Sequence, residues 1–310
     1  MSITLENVST LQNKQNLNTI TPPLIENTKN HHPSNLANIP KISIITVNLN
    51  NLAGLQKTVE NLLSQTFKEF EFIIIDGGSK DGSKEYIQNI SEHLHKWVSE
   101  PDNGIYNAMN KGIRMATGEY LCFLNSGDIF LENTTLKSVH SKLNGNIGIY
   151  YGDMIWDEIK RKRLIPAPAK LSFPFLLIHS INHQSCFIKK SLFDEIFYYN
   201  EDFQIISDWE FLIYAVCKKE IPTKHLEMTV SVYDANGISS HIANQKSICA
   251  DRQMVVDKYF PLFDFTAKDV AILYEKRGKQ FLRIRKHKFA YRTLKWFMSL
   301  ILVFLPKKHN

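Results

Sequence analysis

Apolar positions in this chain alternate between two kinds of repeat from residue 40 onward. Ile42-Ser43-Ile44-Ile45-Thr46-Val47 is a β-branched run of strand length that starts just after Pro40, and it predicts a buried first strand. Leu52 to Phe67 follows a helical period, with Leu55, Val59, Leu62 and Leu63 on one face. Phe70-Glu71-Phe72-Ile73-Ile74-Ile75 then gives a second apolar strand. Strand, helix and strand in this order form a parallel βαβ unit. Parallel sheets are covered on both faces, so their strands read as continuous apolar runs, and both of these do. The expected fold class is therefore α/β.

The pattern continues with a helix over Ser83 to Leu94, a short strand near Trp97-Val98, and a helix over Tyr106 to Ala116 that Gly118 ends. Glu119 to Leu124 is the next strand. Beyond residue 147 the pattern is less regular. It suggests a strand over Ile147 to Gly152, a hairpin or loop through the proline-bearing stretch 165–174, a strand over Ser185 to Ile188, and a helix that starts near Ser207. Residues 1–39 are rich in Asn, Thr, Pro and Gln with no sustained period, and read as a disordered polar extension. The expected division is thus 1–39 extension, 40–255 catalytic-type α/β domain, and 256–310 a helical basic segment.

Composition adds little to the first half and much to the end. With 44% hydrophobic and 11% aromatic residues, 310 residues can bury a full core. The net charge is +6, yet residues 268–310 hold 12 Lys and Arg against 2 Asp and Glu. The tail therefore carries +10 and the remainder −4. Between Arg277 and Lys308, Arg283, Arg285, Lys286, Lys288, Arg292 and Lys295 interleave with aromatic and aliphatic residues, before an apolar run from Phe297 to Leu305. That is the composition of an interfacial helix on anionic lipid. A helix packed on the domain is the alternative. Nucleic acid is not an expected partner, because no binding module accompanies the charge.

No apolar run approaches the ~18 residues of a membrane span, and the N-terminus lacks a signal-peptide pattern. Cys122, Cys186, Cys217 and Cys249 form no CxxC pair and read as buried reduced thiols. A cytoplasmic protein, peripheral on the inner face of the membrane, is the expected setting.

Three loops rich in acids and amides, Asn48 to Asn51, Asp76 to Asp81 and Asn125 to Asp128, each follow an apolar strand of the same sheet. They should converge on one rim, where open α/β sheets bind ligands. Carboxylates and amides there suit a base and ribose, glycines admit backbone close to the ligand, and one carboxylate can hold a divalent metal. Taken alone, Asp76-Gly77-Gly78-Ser79 also reads as a turn with a helix cap. The spacing is not GxGxxG and follows the second strand, which argues against a dehydrogenase.

Together Ile42 to Asn50, Gln65 to Gly82, Asp102-Asn-Gly-Ile-Tyr-Asn-Ala-Met-Asn-Lys-Gly112 and Gly118 to Asp128 fall in the order and spacing of glycosyltransferase family 2. Over roughly residues 40–240 the chain resembles that family, most closely its bacterial polysaccharide-assembly branch. The resemblance implies a GT-A fold and hexosyl transfer from a nucleotide-sugar donor to a glycan or lipid-linked acceptor. It also implies Mn2+ or Mg2+ at the diphosphate and inversion at the anomeric carbon. It places Asn50, Asp76, Ser79, Asn110, Asn125 and Asp128 at the donor, with Asp128 as metal ligand.

The family's base, an aspartate at the start of a late helix, falls on Asp208, which could instead be a helix cap. Trp209 and Glu210 fall on the acceptor side. His183 does too, unless it is a structural histidine. The His179 and His183 pair reads as a loop entering a strand rather than a zinc site. The chain departs from the family at two points. Gly77 stands where Asp-Asp-Gly-Ser has its second Asp, which touches the base. Asn125-Ser126-Gly127-Asp128 stands for Asp-x-Asp-Asp. This erosion keeps open a second class, a non-catalytic nucleotide-sugar-binding subunit.

Overall fold

The computed structural model describes residues 40–158, 161–235, 245–262, 270 and 276–304; the extension expected over 1–39 lies outside them. The predicted apolar runs become β1 (Ile42–Asn48), β2 (Glu71–Asp76), β3 (Lys96–Ser99) and β4 (Tyr120–Phe123). They lie side by side in the order β3-β2-β1-β4, all parallel. The connecting helices are α1 (Leu52–Leu63), α2 (Ser83–Asn89) and α3 (Ile105–Met115).

Alternate residues of β1 and β2 feed two cores. Ile45, Val47, Ile73 and Ile75 pack with Tyr106, Met109 and Ile113 of α3. Ile42, Ile44, Phe72 and Ile74 pack with Leu55, Val59 and Leu62 of α1 and Ile87 of α2. Gly112 permits the close approach of α3 to β1, since a Cβ there would lie 2.5 Å from Ile45 Cγ2. Helix α1 stops short of Phe67. The Gln65 side chain is spent on the next layer, donating to Glu132 O at 2.9 Å and accepting from Leu136 N at 3.1 Å.

The second half is where pattern and structure part. Strand β6 (Ile149–Glu158) is longer than the predicted one and lies between two neighbours. It pairs antiparallel with β8 (Cys186–Lys189) and parallel with β9 (Thr223–Asp234), through a bulge near Asp153. Strand β8 joins β4 antiparallel, β7 (Arg161–Ile165) extends β6 as a hairpin, and β5 (Ile129–Phe130) adds to β9. The sheet is thus parallel in its first half and mixed in its second.

Short helices α4 (Thr135–His140), α5 (Phe173–Ile178) and α6 (Ser191–Glu195) fill the connections, and α7 (Ser207–Cys217) starts where expected. Helix α8 (Gln245–Tyr259) runs across the boundary expected at 255, and Val255 and Val256 are buried in the core that α7 shares. Beyond it come α9 (Lys276–Arg285) and α10 (Lys288–Val303). No residue of α10 is buried. Cys122 and Cys186 are buried as expected, but Cys249 is exposed.

Candidate active site

The rim formed by the ends of β1, β2 and β4 is built on Asp76. Its Oδ1 accepts from Asn48 Nδ2 at 2.8 Å and Ser79 Oγ at 2.6 Å, and its Oδ2 accepts from Ser79 N at 3.0 Å and Ser99 Oγ at 2.6 Å. The residue has no exposed surface. Ser79 Oγ also accepts from Asn50 N at 2.7 Å, while Asn50 Oδ1 accepts from Lys80 N at 2.9 Å. Asn50 sits at φ +48, a left-handed conformation that asparagine tolerates. The structure therefore brings Asn50, Asp76 and Ser79 together, but their side chains are spent on shaping the two loops.

At the end of β4, Gly127 (φ +105) turns the chain so that Asp128 points inward. Asp128 Oδ1 accepts from Asp234 N at 2.9 Å, and the residue is 4% exposed. Burial pushes its carboxyl up to about 7, against the opposing pull of the Asp234 amide and of His183. Asn125, three residues earlier, places Nδ2 3.1 Å from His183 Nε2. An amide NH2 can only donate, so His183 Nε2 accepts and Nδ1 carries the proton. Nδ1 then donates to Asp208 Oδ2 at 3.1 Å.

Asp208, in the first turn of α7, is the far end of this relay. The Tyr106 hydroxyl lies 2.9 Å from its Oδ1 and 2.5 Å from Ile205 O, sharing one proton between them. Asp208 Oδ1 also accepts from its neighbour Trp209 N at 2.9 Å. Burial would raise the Asp208 carboxyl. The hydrogen bonds and charge of His183, then Tyr106 and the Trp209 amide, outweigh burial and hold it below the usual carboxylate value. Burial likewise opposes a charge on His183, and Asp208 overrides it, so the imidazole is raised. Asp208 thus keeps its carboxylate form with His183 as its main partner.

Three residues assigned to the site from the sequence spend their polar groups on other contacts. Asn110 donates to Tyr199 O and Glu201 Oε1, both at 2.8 Å, and accepts from Tyr199 N at 3.0 Å. Its capacity is used in tying α3 to the 199–201 segment. Trp209 donates Nε1 to Leu176 O at 2.6 Å and is buried. Glu210, also buried, accepts from the Tyr259 hydroxyl at 3.0 Å. Helical rotation of about 100° per residue turns these two side chains away from Asp208 and into the packing of α7 on α5 and α8.

Two residues near Asp208 had no assigned role. Tyr106 lies inside the Asp102 to Gly112 stretch, so its signal was present. Arg252 of α8 stacks 4.7 Å from the Trp209 ring centre and donates to Ile178 O at 3.1 Å. Burial lowers its guanidinium while Asp208 favours the charge. Nothing in the polar pattern of α8 marks it. His179 closes α5 against the Phe175 ring, away from any pairing with His183.

Residues 43–197, half of the chain, match the family described as Glycosyl transferase family 2. The chain belongs to glycosyl transferase family 2. This family 2 enzyme is 29% identical to an uncharacterized glycosyltransferase of Mycobacterium tuberculosis, over 84% of this chain and 97% of that protein. It is 30% identical to a PGL/p-HBAD biosynthesis glycosyltransferase of Mycobacterium bovis, over 67% of this chain and 82% of that one. In structure it is similar to Staphylococcus aureus TarS 1–349 in complex with UDP-GlcNAc (TM-score 0.56, 16% identity, 79% of each chain). It is also similar to a Pyrobaculum calidifontis mannosyltransferase in complex with GDP-Man and Mn2+ (TM-score 0.52, 13% identity, 83% and 87%). At those identities the likeness is one of fold, the GT-A fold.

Enzymes of this family commonly use a divalent metal. The donor set here fits one. Asn125 Oδ1 and Ser126 Oγ are buried without a partner beside the raised Asp128 carboxyl, and all are hard oxygen donors. Among the described residues no group of three His, Cys, Asp or Glu side chains converges. A cation here would take most of its ligands from diphosphate and water, as Mg2+ commonly does.

Proposed function

We propose that this glycosyltransferase transfers a sugar with inversion from a nucleotide-diphosphate sugar to a hydroxyl of a glycan or lipid-linked acceptor in surface polysaccharide assembly. The observation that carries this reading is the Asp208 carboxyl group, part-exposed at 20% and oriented by His183 and Tyr106. A single in-line displacement needs one base to take the acceptor proton as the hydroxyl attacks. Asp208 is that base, and it is linked through His183 to the loop that seats the donor.

The Asn125–Asp128 loop holds the diphosphate end. A divalent ion there would supply positive charge to the departing diphosphate, with Asp128 as its carboxylate ligand. The test is thermal stability of the full chain with UDP-, GDP- and dTDP-sugars and Mn2+ or Mg2+. A ligand at 100 times its Kd stabilises the native state by about 2.7 kcal/mol. One nucleotide class is expected to raise Tm. No shift with any of them would remove the donor reading.

The setting we propose is the anionic inner face of the cytoplasmic membrane. Helix α10 is partitioned along its length. Lys288, Arg292 and Lys295 lie in the first half, and Trp296, Phe297, Leu300, Ile301, Leu302 and Val303 are all exposed in the second. Eight residues from Trp296 to Val303 span about 12 Å of helix, less than half a ~30 Å hydrocarbon core. No described helix is long and apolar enough to cross a membrane. Such an end dips into one leaflet while the basic half meets the headgroups.

Basic residues near an anionic surface contribute about 1 kcal/mol each. The full chain with Lys288→Glu, Arg292→Glu and Lys295→Glu should therefore bind phosphatidylserine vesicles at least about a hundredfold more weakly. Unchanged cosedimentation would refute the assignment.

A further inference from the structure

The rim holds one carboxylate that the proposed chemistry does not use. Asp102 follows β3, and its side chain is only 9% exposed. Lys111 of α3 pins one oxygen, with Nζ 2.5 Å from Asp102 Oδ1 and a second contact to Glu100 at 2.8 Å. Among the described residues, the other oxygen accepts no hydrogen bond. That free Oδ2 leans across to the end of β2, where it lies 3.1 Å from the point at which a Cβ on Gly77 would sit. Leu49 Cδ1 lies at the same distance, 3.1 Å, from that point. Leu49 is 64% exposed.

A flat glycine floor, an exposed aliphatic side chain and a fixed carboxylate oxygen form a slot for a planar ring with an apolar face and a donor edge. The slot is also at the right distance. Loops after β4, β1 and β2 stand in sheet order, so the Asn125–Asp128 loop and Gly77 are separated by two strand spacings, about 10 Å. That is the reach of a nucleoside diphosphate laid along the rim with its phosphates at Asp128.

We propose that Asp102 is the residue that reads the nucleobase of the donor, selecting a base with an imino N–H, as in uracil, thymine or guanine, over cytosine or adenine. This rests on the donor-site reading above and adds to it the base class and the residue responsible. The carboxylate Oδ2 accepts from the imino N–H. Cytosine and adenine present a ring-nitrogen lone pair at the equivalent edge, which the carboxylate repels. Lys111 positions the group by holding Oδ1. A side chain on residue 77 and the Asp102 carboxylate compete for one space, so glycine at 77 and aspartate at 102 belong together.

The experiment is calorimetric titration of the full chain with UDP, dTDP, GDP, CDP and ADP, in wild type and in variants. Wild type is expected to bind at least one of UDP, dTDP and GDP more tightly than CDP and ADP. In Asp102→Asn the amide can turn an N–H toward the base. Affinity for the preferred nucleotide should then fall about 10- to 100-fold, from loss of a charge-assisted hydrogen bond. CDP binding should hold or improve, so the preference narrows or inverts.

Asp102→Ala should lose affinity without any gain for CDP. Gly77→Asp combined with Asp102→Gly, which returns the carboxylate to the slot from the neighbouring loop, should restore the wild-type order. A merely structural Asp102 would weaken all five nucleotides alike and leave their ratios unchanged, which would overturn the proposal while sparing the donor reading. Preference of wild type for CDP or ADP would do the same. If wild type binds none of the five, the donor reading falls and this inference with it.

Discussion

Asp208→Asn is expected to lower transfer about a thousandfold, within the 10²–10⁴ range of a positioned general base, while nucleotide affinity changes by less than a few-fold. The amide keeps the acceptor oxygen used by Tyr106 and by Trp209 N. It loses the Oδ2 that accepts from His183 Nδ1, together with the charge and the ability to take a proton. The lowered Asp208 carboxyl also makes a statement about stability. A group whose folded value lies below its unfolded one contributes stability that is present at neutral pH and lost as pH falls through the folded value. The variant should thus be slightly less stable at pH 7, and wild-type activity should persist into acid below the usual carboxylate range. Steady-state transfer rates against pH, with melting curves alongside, check both. Near-wild-type turnover in the variant would remove Asp208 as base.

Asp128→Asn should do the opposite to stability in metal-free buffer. The Asp128 carboxyl is raised from 3.8 to about 7. The folded state therefore holds its proton more tightly than the unfolded chain. The stability this contributes is fully present below the unfolded value and is lost as pH rises through about 7. Roughly three units at 1.36 kcal/mol each give a cost on the order of 4 kcal/mol above that pH. The asparagine variant escapes it.

In EDTA the Tm gain should be near zero at pH 4, grow up to pH 7 and stay level above it, at several degrees. Adding Mn2+ at pH 8 should then raise the Tm of wild type and not of the variant, and transfer should be lost in the variant. A Tm difference that does not depend on pH would contradict the burial argument. A variant still stabilised by Mn2+ would move the metal elsewhere.

The first half of the fold was readable because β1 and β2 are buried on both faces, so sequence and burial coincide residue by residue. The second half was not. Strand β7 is exposed along its whole length and rich in Arg and Lys, and β9 alternates with interruptions that a window cannot phase. Helices of five or six residues, such as α5 and α6, carry too few turns to show a period.

Asn125, Asp128, His183 and Asp208 could be placed on one rim from the sequence because they sit at element ends. The contacts of Asn110, Trp209 and Glu210 were hidden for a common reason: a polar group beside a motif looks available until its partner is known. Those partners, Tyr199, Leu176 and Tyr259, come from distant parts of the chain. Asp102 was passed over for the inverse reason. What sets it apart is the close approach of its Oδ2 to Gly77, and sequence does not display such an approach.

The contact between Asn125 and His183 has a consequence for where protons reside. With Nδ2 facing the imidazole, the amide is compatible only with a neutral ring, and Asn125 Oδ1 is left buried and unpartnered. A doubly protonated imidazolium would meet that NH2 head-on. Rotating the amide by half a turn presents Oδ1 to the new N–H and gives the stranded oxygen a partner. Asn125 therefore has one resting orientation for each charge on the His183–Asp208 pair. The charge of the His183–Asp208 pair and the orientation of the Asn125 amide are thus linked through one hydrogen bond in the loop after β4.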